Sequence, residues 1–115
     1  RKALAAEYYT ALKSLPIKLL PEKMLKTSSW HLFPIFVKNS QEKMALHEFL
    51  KKKEIASSTT YYQMSLTLEP TLKQFAGDCP NAITFAEQSF CLPMHPFLTS
   101  QDILEIANAL KTFYS

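Results

Sequence analysis

The chain is 115 residues long, 47% hydrophobic and 20% charged, with a net charge of +3; this is ordinary globular usage and excludes a disordered or fibrous polymer. A chain of this size buries one core without disulfide or metal staples. Its basic residues are scattered apart from Lys51, Lys52 and Lys53, too weak a pattern for a nucleic-acid interface, and no apolar run approaches the ~20 residues that span a bilayer.

From the amino terminus, Leu4, Tyr8, Leu12 and Leu15 recur at helical spacing with Ala5 and Ala11 beside them, which predicts a helix over residues 1–15. Arg1, Lys2 and Ala3 offer no capping side chain, as if the helix began further upstream. Pro16 and Pro21 then dictate an extended connection. Residues 29–37 are aromatic, β-branched and apolar on both faces, which suits a covered strand. Pro34 lacks an N–H, so this strand is expected to be interrupted or peripheral.

Asn39 followed by Glu42 has the form of a capping box, and Leu46, Phe49 and Leu50 give the next helix a buried side as far as Lys53. The lysine triplet reads as that helix's solvated end, where cations suit the dipole. Residues 55–64, rich in Ser, Thr and Tyr, read as a further strand; Leu66 and Leu68 lead into a short helical piece near Gln74. Asp78 is placed to cap a helix starting at Pro80, lined by Ala82, Phe85, Ala86 and Ser89 and ending near Phe90. Cys91 to Met94 reads as extended. Thr99 and Asp102 cap a last helix whose stripe is Ile103, Ile106, Ala107, Leu110 and Phe113. The expected class is α+β: one domain, with a small antiparallel sheet and about four helices packed mainly on one face.

The chemistry-bearing residues are sparse. Cys79 and Cys91 lack paired spacing and are expected to be buried thiols, and His31, His47 and His95 match no local metal pattern. No serine or cysteine sits in a recognisable nucleophile arrangement. The lysines all read as solvated, and Gly77 is the only glycine available for a phosphate cradle.

Several stretches together resemble one family. Arg1, Ala5, Tyr8 and Leu12 in the leading helix, residues 29–33, and the helix from Lys43 to Ile55 are similar to the carboxyl-terminal small domain of the DegT/DnrJ/StrS sugar aminotransferases. So is Pro80, Ala82 and Ala86, followed by Leu92-Pro93-Met94-His95-Pro96 and Leu98-Thr99. The resemblance implies an interdomain helix over residues 1–15 and a sheet-and-helix body over 29–115. Lys43 stands where that family has arginine, and Glu54 where it has a helix-ending glycine. The family's His-Tyr-x-Pro-x-His string becomes Thr60-Tyr61-Tyr62-Gln63-Met64-Ser65 here.

The implied substrate-facing residues are therefore Tyr61, Thr60, Ser65 and His31, with no catalytic, cofactor-binding or metal residue in this chain. Pyridoxal phosphate is the cofactor implied for the full-length enzyme, and none is expected in this chain by itself. The implied partners are a large catalytic domain and a nucleotide-sugar substrate, with no nucleic acid and no membrane. Self-association is expected through Tyr8, Tyr9 and Leu12, and the expected location is cytoplasmic. The implied function is cleft closure and sugar orientation in a transaminase, without catalysis by this chain alone. The alternative is a degenerate stand-alone small domain that acts as an interaction module.

Overall fold

A computed structural model describes residues 1–58, 69–75 and 77–115. In chain order these form α1 (Lys2–Leu12), β1 (Lys18–Leu19), α2 (Met24–Thr27), β2 (Phe33–Phe36), α3 (Ser40–Lys52), a 3-10 turn (Pro70–Phe75), α4 (Pro80–Gln88), β3 (Ser89–Leu92) and α5 (Ser100–Phe113). The strands make one antiparallel sheet in the order β1-β2-β3. The α+β class expected from the sequence is the observed one. None of the described helices is long and apolar enough to cross a membrane.

The core follows from strand alternation and helical stripes. Phe33 pairs with Leu92 and Ile35 with Phe90; paired residues share a face, and these four are buried with Tyr8, Leu12, Leu46, Leu50, Ile103 and Leu110 in one cluster. Each fully buried leucine in that cluster contributes roughly 1.5–3 kcal/mol. On the opposite face Phe36 meets Phe85 of α4 edge-on, with ring centroids 5.3 Å apart. The rings of Tyr8 and Phe33 stack at 4.7 Å, seating α1 on the sheet. Because Tyr8 and Leu12 are fully buried, neither is available for the self-association surface expected of α1.

Two of the three anticipated cap residues, Asn39 and Thr99, appear where local chemistry demands them. Asn39 Oδ1 accepts from the Glu42 N–H at 2.9 Å, while Glu42 Oε2 reaches one residue further back than a capping box requires, to the Lys38 N–H at 2.9 Å. Thr99 and Asp102 form the full box: Thr99 Oγ1 accepts from the Asp102 N–H at 3.2 Å and Asp102 Oδ2 accepts from the Thr99 N–H at 2.7 Å.

Other expectations need correction. β2 starts only at Phe33 because Trp30, buried with its ring tilted against that of Phe33, sits at φ 52, a left-handed turn that interrupts extended backbone. That turn is held by the Trp30 N–H donating to Ser28 Oγ at 3.1 Å and the indole N–H donating to the Leu25 carbonyl at 3.4 Å. β2 is also the central strand, proline notwithstanding. β1 pairs only with Phe36 and Ile35, so it stops short of Pro34 and asks no ladder bond of it.

Cys79, not Asp78, occupies the N-cap of α4, without a side-chain cap, and it is exposed. α4 buries Ala86 alone, leaving Ala82 and Phe85 exposed. It ends at Gln88, since Ser89 and Phe90 already pair with Phe36 and Ile35 in the sheet. β1 and α2 fall within the stretch expected to be merely extended. Of the expected strand over residues 55–64, Ser58 forms an isolated bridge to Cys91; residues 59–64, like Leu66 and Leu68, lie outside the described residues.

Candidate functional site

Of the four substrate-facing residues expected from the sequence, Thr60, Tyr61 and Ser65 lie outside the described residues, and His31 is exposed just before β2. His31 precedes Leu32, which borders a groove of about 230 Å³ together with Ala56, Ser57, Ser58, Cys91, Pro93 and Met94. That is less than the roughly 300–1,000 Å³ of a typical small-molecule pocket, so the groove suits one part of a ligand. His95 follows Met94 in a turn closed by the Leu98 N–H on the His95 carbonyl at 3.3 Å.

The chain that forms one wall of this groove is closely held. The Glu54 N–H donates to the Lys51 carbonyl and the Ile55 N–H to the Leu50 carbonyl, both at 3.0 Å, the paired closure that ends a helix through a left-handed residue. Glu54 is that residue, with φ 60. Ser57 Oγ lies 2.9 Å from His47 Nδ1, and Ser58 exchanges two backbone bonds with Cys91, each 3.1 Å. The His47 ring meets Phe90 edge-on at 6.3 Å.

Lys43 overturns the expectation that every lysine is solvated. It is 4% exposed, and its Nζ donates to the Ala86 carbonyl at 2.8 Å, a cation at the carboxyl end of α4. Burial pulls its pKa below the usual lysine value, against a smaller opposing effect of Cys91. The Cys91 thiol moves up, again chiefly from burial, and Lys43 opposes that shift. The sequence carried no signal for this contact, because the partners are 43 residues apart. Lys51, Lys52 and Lys53 are exposed as expected, and the Lys53 ammonium lies 5.2 Å from the centre of the Phe49 ring.

The same backbone and core recur in known proteins. The model of the DegT/DnrJ/EryC1/StrS aminotransferase family matches residues 1–111. The chain belongs to that family. It is 33% identical over 115 residues to the dTDP-3-amino-3,4,6-trideoxy-alpha-D-glucose transaminase of Streptomyces venezuelae, a match that takes in 96% of this chain and 29% of that protein.

Among solved structures, DesV of S. venezuelae in complex with a ketimine intermediate aligns with a TM-score of 0.84 at 30% identity, over 98% of this chain and 30% of that one. Spr1654 of Streptococcus pneumoniae in its PLP form aligns with a TM-score of 0.84 at 27% identity, over 96% and 29% of the respective chains. The chain thus spans about three-tenths of the length of these relatives.

The family uses pyridoxal phosphate, a coenzyme that needs a neutral lysine amine open to its aldehyde and a close backbone cradle for its phosphate. Lys43 does not fit the first need, because its Nζ is engaged at the end of α4. Gly77 does not fit the second. A Cβ built there would meet no atom of the described residues within 4 Å, so among them no close approach depends on its being glycine.

Proposed function

We propose that this chain is the small-domain portion of an aminotransferase acting on nucleotide-linked keto-deoxysugars, where it closes one side of the active-site cleft and orients the sugar. Chemistry is left to the remainder of such an enzyme. The observation that carries the reading is the match over residues 1–111, combined with coverage of only 29% of the S. venezuelae transaminase. The state of Lys43 supports it, since its amine serves the fold. The groove at Leu32, Ser57 and Met94 is the surface through which this portion would meet the sugar, excluding water and aligning the reacting atoms.

The test is to titrate the purified chain with pyridoxal phosphate and to assay amino transfer from glutamate to a dTDP-linked keto sugar. Neither a stoichiometric absorbance band from a lysine-bound coenzyme nor turnover is expected. Either one overturns the reading. Sequencing upstream of the Arg1 codon separates the alternative module, because the enzyme reading requires continuous in-frame coding sequence that includes a coenzyme lysine.

A further inference from the structure

We infer that His47 is a positioning residue for the sugar groove, acting through Ser57; this rests on the reading of that groove under Proposed function. Ala56 and Ser57 stand between two depressions. One is the groove with Leu32, Cys91, Pro93 and Met94, and the other opens on His47, Lys51, Glu54 and Ile55. These two residues are therefore a thin wall, and what backs the wall sets the shape of the groove.

His47 is that backing. Its Nδ1 meets Ser57 Oγ at 2.9 Å. Its own position is fixed by α3, whose Leu46 and Leu50 are fully buried, and by the edge-on contact with Phe90 of β3. The wall is tied at both ends by backbone, through Ile55 to Leu50 and through Ser58 to Cys91. Between those ties, the Ser57 side chain adds its polar contact to His47. Ser57 and Lys51 also border the His47 side, so the ring works from the face away from the sugar and touches no reacting atom.

The experiment uses the chain itself, with His47→Ala, Ser57→Ala and the conservative His47→Gln, whose amide can still bond a hydroxyl. Amide exchange at Ser58 and Cys91 reads the wall, and NMR titration with dTDP-glucose, followed at Leu32, Ser57 and Met94, reads the groove. One hydrogen bond predicts about fivefold faster exchange at those two amides in His47→Ala and Ser57→Ala. Amides in α1 and α5 should be unchanged, dTDP-glucose binding weakened by a similar factor, and both effects reversed in His47→Gln.

Unchanged protection of Ser58 and Cys91 in His47→Ala overturns the inference whatever the ligand does. Lost protection with unaltered dTDP-glucose binding overturns the link between His47 and the groove. Failure of the wild-type chain to bind dTDP-glucose overturns the sugar reading of the groove instead, while the exchange measurement still decides whether His47 holds the wall.

Discussion

The phenol of Tyr8 donates a 2.9 Å hydrogen bond to the carbonyl of Pro93, joining the first helix to the segment that leaves β3, 85 residues later. Burial chiefly, and the charge of Asp102 secondarily, push the Tyr8 pKa far above that of a free phenol. A raised folded-state pKa means that the unfolded chain, titrating near 10, releases a proton that the folded chain retains. The stabilisation is therefore complete below about pH 10 and is lost as the pH rises beyond it. Tyr8→Phe is expected to cost about 1 kcal/mol at neutral pH. Urea midpoints of the two proteins should then converge above about pH 10, and a constant gap would contradict the assignment.

Lys43 sets two effects against each other. Its charged head loses hydration, which lowers its pKa, yet it donates to Ala86; its stem fills core volume. Lys43→Met keeps the stem, and loss of a charged donor, about 1.5–3 kcal/mol, is largely offset by relief of desolvation. Lys43→Ala also removes buried methylenes at about 0.8 kcal/mol each and leaves a cavity. Chemical denaturation should therefore rank wild type and Lys43→Met close together, with Lys43→Ala lower by about 2–4 kcal/mol. Because the folded-state pKa is depressed, the folded chain gives up this proton first, and the Lys43 contribution to stability rises with pH up to about 10.4. Lys43→Met lacks that rise.

What the sequence disclosed divides along the range of the interactions. The caps at Asn39 and Thr99 were legible because donor and acceptor lie three residues apart, whereas Glu54 stood out only because the resembling family ends this helix with glycine. The strand at Ser89–Leu92 was legible only in its second half: Cys91 and Leu92 read as extended, but Ser89 and Phe90 were given to the helix, since all four residues are buried and a continuous buried run has no period to separate a helix end from a strand. The left-handed Trp30 gave no sign, because tryptophan itself favours strands and neither glycine nor asparagine marks the turn. At the candidate site, His31 was named only through family resemblance, and it is exposed and not among the residues that line the groove. The His47 and Ser57 contact depends on the turn at Glu54 that brings α3 back against the following segment, which no local pattern specifies.

Ser89 isolates the cost of a buried hydroxyl. It is fully buried, and its Oγ has no hydrogen-bond partner among the described residues. An unsatisfied buried polar atom costs about 1–3 kcal/mol, whereas alanine at the same place gives up little packing. Ser89→Ala should leave stability unchanged or raise it by up to about 1 kcal/mol, read as a shift in thermal midpoint. A marked loss would mean that the hydroxyl has a partner, such as a bound water.

Glu54 carries backbone strain that a different residue would release. At φ 60 a side chain with a Cβ pays roughly 1–2 kcal/mol relative to its preferred conformations, while glycine gives back roughly 0.5–1 kcal/mol through its more disordered unfolded state. The difference favours glycine by about 0.5–1 kcal/mol. The closing bonds from Glu54 to Lys51 and from Ile55 to Leu50 are made by backbone atoms, so any residue that tolerates the left-handed region retains them. Glu54→Gly should raise the thermal midpoint, Glu54→Asn should raise it less, since asparagine tolerates this region only in part, and Glu54→Ala should leave it nearly unchanged. A ranking with alanine above glycine would show that helix propensity, not the left-handed turn, governs this position.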